Sequence, residues 1–257
     1  MMAKVVVISG GGTGIGLASA RYFAERKAHV VILGRRNAVL DEAAKAISRD
    51  FPSAPKVLVL TGDLASSDQV EAIRANLSER FPAIDVLVNA AGGHVLRQFP
   101  AATYADGLAG IARRWTDNFR SNTLSAVLLT EALLAQLRAP GGRIIFISSI
   151  AAYRGSGVGC YGAAKAALHP YCFDLAKALG PKGITVNTIA PGYVADTEFF
   201  GPAMTAEQHN AKVAEAMNNR AGTAADIANT IGWLATSEAV HVTAQIIQVN
   251  GGAERGR

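Results

Sequence analysis

Tyr161 and Lys165 stand four residues apart in Tyr161-Gly162-Ala163-Ala164-Lys165, with Ser148-Ser149 upstream and a glycine-rich turn at residues 9–16. On a helix, residues four apart share a face, so the phenol and the ammonium can point into one cleft. A free tyrosine titrates near pH 10, and to exchange a proton near neutrality it must titrate about three pH units lower, worth roughly 4 kcal/mol. A lysine charge about 4 Å away supplies around that much at an effective dielectric of about 20. The chemistry implied is acid–base catalysis by a phenol. Taken alone, the spacing equally fits an amphipathic helix with one aromatic and one solvated lysine, so the surrounding chain must decide.

The elements that would position these groups are legible as a pattern. Apolar, β-branched runs recur at 4–9, 29–33, 56–60, 84–89, 143–148, 184–189 and 245–249. They are apolar throughout rather than alternating, as strands buried on both faces of a parallel sheet require. Helix-compatible spacing fills 15–26, 39–48, 69–80, a long stretch from 103 to 137, 160–179 and 224–235. Strand–helix alternation from end to end predicts an α/β fold, a Rossmann-like, doubly wound, seven-stranded parallel sheet with helices on both faces and its ligand at the strands' carboxyl ends. No linker, repeat or low-complexity tract divides the chain, so 1–257 is expected to form a single dinucleotide-binding and catalytic domain. The least patterned stretch, 195–222, is expected to be a substrate lid. Its Phe199, Phe200, Met204 and Met217 form either a local core or the lining of a pocket beneath that lid.

Composition narrows the classes. Half of the 257 residues are apolar and 18% are charged, enough for a sizeable core. The net charge is +5, but the basic residues are dispersed, the densest clusters being pairs such as Arg35-Arg36 and Arg113-Arg114. No nucleic-acid partner is expected, and the modest positive field suits a polyanionic cofactor. The opening apolar run is short and is cut off by Gly10-Gly11-Gly12, so neither a leader peptide nor a membrane partner is expected, and the protein is read as cytoplasmic. Cys160 and Cys172 lack the spacing of a zinc site or a disulfide framework; no metal is expected and both thiols are read as free.

The first strand runs into Ser9-Gly10-Gly11-Gly12-Thr13-Gly14-Ile15-Gly16 and then directly into a helix. Glycines let the backbone approach a pyrophosphate closely, and the helix N-terminus offers unpaired N–H groups to it. The spacing is Gly10-x-x-x-Gly14-x-Gly16 rather than G-x-G-x-x-G. The second strand ends in Gly34-Arg35-Arg36, where an NAD site would carry an acid for the ribose 2′-hydroxyl. Two guanidiniums can instead hold a 2′-phosphate, so NADP(H) is favoured over NAD(H), with Arg36 the better candidate for a solvated bystander. Asp63-Leu64 after the third strand can cap the adenine, and Asn89-Ala90-Ala91-Gly92 after the fourth puts small residues where the cofactor passes.

These residues together resemble the short-chain dehydrogenase/reductase family along almost the whole chain, in particular the branch of 3-oxoacyl-carrier-protein reductases. Residues 9–16 match the family's Thr-Gly-x-x-x-Gly-x-Gly, with Ser9 for threonine; Asn89 to Gly92 match Asn-Asn-Ala-Gly, with Ala90 for the second asparagine. Asn122, Ser148-Ser149, Tyr161 to Lys165, Pro191-Gly192 and Asn250-Gly251-Gly252 follow in order. The resemblance implies cofactor contacts at Gly10, Gly12, Thr13, Gly14, Ile15, Asp63, Leu64, Tyr161, Lys165, Pro191, Gly192 and Val194. It implies that Tyr161 is the acid/base, that Lys165 lowers its pKa and holds the nicotinamide ribose, and that Asn122 positions a water relaying protons towards Lys165. Asn122 also reads as a helix-interior residue with a backbone partner. The family's serine falls on Ser149 by strand register and on Ser148 by distance from Tyr161. Ser149 is preferred, because a loop absorbs a deletion more easily than a buried strand slips.

The function so implied is hydride transfer between a ketone, a 3-oxoacyl thioester among them, and a secondary alcohol. The expected partners are a small carbonyl or alcohol substrate, an acyl carrier protein or CoA thioester, and further copies of the chain in a homotetramer joined through apolar faces of 103–137 and 160–179. Arg97, Arg154 and Lys212 are candidates for meeting a carrier's acidic surface, and 93–97, 151–158 and 194–217 for the pocket walls. Two alternatives stand beside this reading. A non-catalytic dinucleotide-binding redox sensor would not need the proton-donor set, and enoyl reductases of the family space tyrosine and lysine further apart. His94, just after the cofactor strand, is a candidate for touching substrate but is read in preference as a solvated loop residue, His169 as packing or interface, and Cys160 as a packed neighbour of Tyr161.

Overall fold

The computed structural model describes residues 3–99, 101–157, 159–200 and 204–255. Seven strands form one parallel sheet: β1 (Val5–Ser9), β2 (His29–Gly34), β3 (Leu58–Thr61), β4 (Val86–Asn89), β5 (Arg143–Ile147), β6 (Thr185–Pro191) and β7 (Ile246–Val249). Their order is β3-β2-β1-β4-β5-β6-β7. The helices are α1 (Gly14–Glu25), α2 (Asn37–Asp50), α3 (Ser67–Arg80), α4 (Val95–Gln98), α5 (Gly107–Phe119), α6 (Ser125–Leu133), α7 (Ala151–Arg154), α8 (Cys160–Ala166), α9 (Leu168–Leu179), α10 (Ala206–Ala214) and α11 (Ala224–Leu234).

The doubly apolar strand pattern is what two cores require. On β1, Val5 and Val7 face the cluster that includes Ile73 of α3, Leu129 of α6 and Cys172 of α9. Val6 and Ile8 face the opposite cluster with Phe23 of α1, Leu40 of α2 and Ile231 of α11. A side-chain period of two sends neighbours to opposite faces, so a strand buried on both sides reads as a continuous apolar run. Strand order reverses between β1 and β4, where Ser9 pairs with Asn89, and the crevice beyond that pair is the ligand position of such a sheet.

Three stretches differ from the sequence expectation. The continuous helix expected over 103–137 is α5 and α6 joined by a π-helical turn, Arg120–Leu124, with a 3-10 turn at Leu134–Gln136. The helix expected over 160–179 is divided into α8 and α9, because Pro170 has no N–H to give to the carbonyl of Ala166 four residues back. The stretch read as least patterned contains α10, begun by a capping box in which Thr205 and Gln208 satisfy each other's backbone N–H groups. Among the described residues no helix is long and apolar enough to cross a membrane.

Candidate active site

Tyr161 and Lys165 lie on α8, whose first turn is entered through Gly159 at φ +71°. Lys165 is 4% exposed, and its Nζ donates to the carbonyl of Ile147 at the end of β5, 2.8 Å away. Burial pulls its pKa down from 10.5 to about 8, because a charged ammonium is costly to desolvate. Tyr161 is also buried, its ring packed against those of His94 and Phe199. The helix itself is pinned by Thr123, whose Oγ1 donates to the carbonyl of Ala164 at 2.7 Å.

Asn122 occupies the π-helical turn and is fully buried. Its Oδ1 accepts from the N–H of Gly93 at 2.9 Å, and its Nδ2 donates to the carbonyls of Gly93 at 2.9 Å and Asn118 at 3.0 Å. Of the two readings of this residue, the one with a backbone partner matches the geometry. The amide clamps the loop after β4, and only a second lone pair on Oδ1 is left for a relayed water. A Cβ built on Gly92 would stand 2.5 Å from Asn122 Oδ1 and 3.0 Å from Lys165 Nζ. Asn122, Lys165 and the β4 loop therefore converge on one glycine, held at φ +146°, where only glycine fits.

The two serines separate by environment. Ser148 is buried; its Oγ donates to the carbonyl of Lys165 at 3.1 Å and shares a 2.8 Å hydrogen bond with His169 Nε2. Ser149 is partly exposed, its Oγ accepting from the N–H of Ala151 at 3.1 Å and keeping its own proton to give. Ser148 thus faces the protein interior, and Ser149 stays accessible at the end of β5. His169 packs as expected, against Ser148 and the ring of Tyr153, and burial lowers its pKa. Cys160 is buried and accepts from Asn118 Nδ2 at 3.2 Å.

At the β1 end, Gly10 adopts φ +68°, and a Cβ there would meet the N–H nitrogen of Ala91 at 2.9 Å. A Cβ on Gly16 would fall 2.1 Å from the carbonyl oxygen of Gly10, so the turn closes only with glycine at both positions. Thr13 caps α1 without a side-chain bond to it, and Gly12, Thr13, Gly14 and Ile15 remain partly exposed at the helix start. Ser9 keeps the family hydroxyl in use, accepting from Ala91 N–H at 3.0 Å, beside Ala90. Asn89 donates to Thr130 Oγ1 at 2.9 Å, while its buried Oδ1 has no hydrogen-bond partner among the described residues. Arg35 and Arg36 are exposed at the end of β2, and Arg36 also caps α2. Asp63 accepts from the N–H of Ala65, and the Leu64 side chain is buried in the core, which leaves its backbone for any adenine contact.

At the far end of the crevice β6 finishes in Pro191; Gly192 packs so closely on Asn250 that a Cβ would lie 2.7 Å from its Cβ. Val194 is buried and its segment bridges to Gly222. Three consecutive residues then cross the crevice. The Thr197 methyl stands 3.6 Å from where a Cβ on Gly14 would be, Glu198 pairs with Arg36, and Phe199 packs on Tyr161. Tyr193, Phe200, Met204 and His209 help line an adjoining cavity of about 320 Å³. Phe199 thus faces the phenol and Phe200 and Met204 line that cavity, whereas Met217 is 64% exposed.

Sequence reasoning missed two contacts of the crevice, one of them to Tyr161. His94, read as solvated, is 8% exposed and stacked on the phenol ring, because α5, α8 and the β4 loop meet there. Only its position directly after the β4 motif could have signalled it. The Arg36–Glu198 contact joins residues 162 apart, and nothing local marks it. Arg154 and Lys212, read as carrier contacts, both pair with Glu215. The side chain of Arg97, and residues 158 and 201–203 of the expected pocket walls, lie outside the described residues.

The protein-family model described as "Enoyl-(Acyl carrier protein) reductase" matches residues 10–254. Over 251 residues the chain is 32% identical to the 3-oxoacyl-[acyl-carrier-protein] reductase FabG of Escherichia coli (strain K12), covering 97% of this chain and 96% of the relative. Its counterpart in Haemophilus influenzae is 31% identical over 254 residues, 98% of each chain. Among solved structures, a short-chain dehydrogenase/reductase of the glucose/ribitol dehydrogenase type from Brucella melitensis superposes with a TM-score of 0.85 at 29% identity, covering 98% of this chain and 97% of that one. A variant of actinorhodin polyketide ketoreductase with NADPH superposes with a TM-score of 0.81 at 26% identity, covering 98% and 97%.

Proposed function

The chain belongs to the short-chain dehydrogenase/reductase family, and on that premise we propose that it is an NADP(H)-dependent oxidoreductase interconverting a ketone and a secondary alcohol. The substrate class is a 3-oxoacyl thioester, presented on an acyl carrier protein or CoA, since full-length relatives carry that name. The observation that carries the reading is the convergence of Tyr161, Lys165 and Asn122 on the loop after β4, with Ser149 at the end of β5.

The residues present fit a dinucleotide with a 2′-phosphate. The glycine turn closes only without a Cβ at Gly10 and Gly16, which leaves Gly12 to Ile15 partly exposed at the helix start for a pyrophosphate, and the end of β2 offers Arg35 and Arg36 in place of a carboxylate. Asp63, Leu64, Asn89, Ala90, Ala91, Gly92, Pro191, Gly192 and Val194 would line the rest of its path. When bound, the cofactor supplies the hydride. Tyr161 gives its proton to the carbonyl oxygen and takes it back in the reverse direction. The Ser149 hydroxyl donates to the same oxygen and stabilises the negative charge that grows there. Lys165 holds a cation beside the phenol and favours its ionised form. Asn122 keeps the β4 loop at the distance that Lys165 needs.

The segment 195–222 acts as the lid of this single domain, and the enzyme works in the cytoplasm as a homotetramer. The exposed stripe Leu108, Ile111, Trp115 and Phe119 on α5, with Phe173 on α9, is the apolar surface that assembly would cover. NADPH consumption, followed by absorbance against a panel of ketones, 3-oxoacyl thioesters and an enoyl thioester, tests the proposal. Oxidation of NADPH with ketone-type substrates is expected; turnover of the enoyl thioester alone, or of none, refutes it.

A further inference from the structure

The Arg36 guanidinium meets the Glu198 carboxylate through both of its terminal nitrogens, Nη2 to Oε2 at 2.6 Å and Nη1 to Oε1 at 3.4 Å. The two residues come from opposite ends of the crevice, one from the turn after β2 and the other from the segment after β6. Their side chains are 59% and 58% exposed, so the pair is open to exchange with a solute. Glu198 does not reach across alone. Thr197 lies over Gly14 of the glycine turn and Phe199 lies on Tyr161, so one short segment touches the pyrophosphate cradle, the β2 arginine and the phenol in succession.

We propose that Glu198 is a cofactor-selecting residue, whose carboxylate occupies the fork of Arg36 that a 2′-phosphate would otherwise take. The inference rests on the NADP(H) reading above and adds to it a competitor built into the chain. A planar guanidinium offers the same pair of N–H donors to a carboxylate and to a phosphate, so one occupant must leave for the other to be held in that geometry. A phosphate monoester carries about −1.5 to −2 charge near neutrality, so it outcompetes a single carboxylate. A dinucleotide with a free 2′-hydroxyl offers nothing to the fork and leaves the Glu198 contact intact. Glu198 therefore weakens the grip on the phosphorylated cofactor and spares the other. Its displacement also removes one of the three contacts of the segment whose Phe199 packs on Tyr161, which loosens that segment at the acid/base end of the crevice.

The test is binding to the apo protein, read by calorimetry or ligand fluorescence rather than by turnover. Wild type, E198Q, R36A and the double variant are titrated with NADPH, NADH and adenosine 2′,5′-bisphosphate. An exposed ion pair is weak, so E198Q is expected to tighten NADPH and the bisphosphate by about two- to fivefold and to leave NADH within about 1.5-fold. In the R36A background the same substitution is expected to have no effect, which separates competition at Arg36 from a general change in surface charge. Wild type preferring NADH would remove the NADP(H) reading and this inference with it. Wild type preferring NADPH, with E198Q shifting neither cofactor, shifting both equally, or shifting NADPH even without Arg36, would overturn the role of Glu198 alone. Hydrogen exchange over residues 196–200 gives a second reading: the bisphosphate should speed it in wild type and not in E198Q, and unchanged exchange in wild type contradicts the release.

Discussion

The imidazole of His94 lies stacked on the phenol of Tyr161, with ring centroids 5.4 Å apart and planes 28° from parallel. The phenol is thereby fixed by ring contacts that do not involve its hydroxyl. In Tyr161→Phe those contacts survive while the transferable proton is lost. Turnover is expected to fall about 10²-fold or more while NADPH affinity stays within about twofold. A purified variant keeping over about a tenth of the wild-type rate removes Tyr161 from the role of acid.

Ser149→Ala and Ser148→Ala should diverge. The first removes a donor to the reacting oxygen and should lower kcat by about 10²-fold with little change in thermal midpoint. The second removes the hydroxyl that bonds the Lys165 carbonyl and His169, and should cost about 0.5–1.5 kcal/mol of stability while most activity remains. Equal losses of kcat in the two variants contradict the assignment.

Lys165 gives a pH signature in the apo protein. Below about pH 8 folded and unfolded chains both carry the ammonium, and its burial weighs fully against folding. Between about 8 and 10.5 the folded chain sheds the proton while the unfolded chain keeps it, so this contribution to stability rises with pH. Subtracting the urea-unfolding free energy of Lys165→Met from that of wild type should therefore show a gain on the order of 1–3 kcal/mol across that window. A flat difference means that the lysine titrates normally.

Cofactor choice can be inverted at the end of β2. Arg35→Ala should raise the KM for NADPH about ten- to a hundredfold and leave NADH almost unchanged, since only one ligand carries the phosphate. Gly34→Asp should go further, because a Cβ there meets the Leu40 side chain no closer than 3.6 Å and the new acid can accept from a ribose hydroxyl. A wild-type preference for NADH would refute the assignment before either variant is made.

Assembly should depend on the α5 stripe. Leu108 is 84% exposed, and with Ile111, Trp115 and Phe119 it repeats at helical spacing on one side of α5. Leu108→Asp with Ile111→Asp should shift the species seen by multi-angle light scattering from tetramer to dimer or monomer. A monomeric wild type at micromolar concentration disproves the tetramer.

The sheet was readable because burial on both faces forces uninterrupted β-branched runs, as in Val5 to Ile8. The Tyr161–Lys165 spacing was readable because both residues sit within two turns of one helix. What stayed hidden is set by distant packing. His94 is buried by elements that no local window contains, and Glu198 meets an arginine on the far side of the crevice. The α10 start at Thr205-x-x-Gln208 was a local signal available and unused. The separation of Ser148 from Ser149 needed the interior partner of Ser148, which lies 21 residues away.

The π-helical turn at Arg120–Leu124 gives the long helix one residue more than a regular α-helix would use. Excising a residue there would restore four-back pairing along the whole rod, and would rotate Asn122 about 100° away from Gly93 or turn α5 by as much against its neighbours. Mending the helix and dismantling the clamp are thus one operation. A straighter rod would gain helical regularity at the moment it lost its hold on the β4 loop, so the irregular turn and the fixed position of Gly93 stand or fall together.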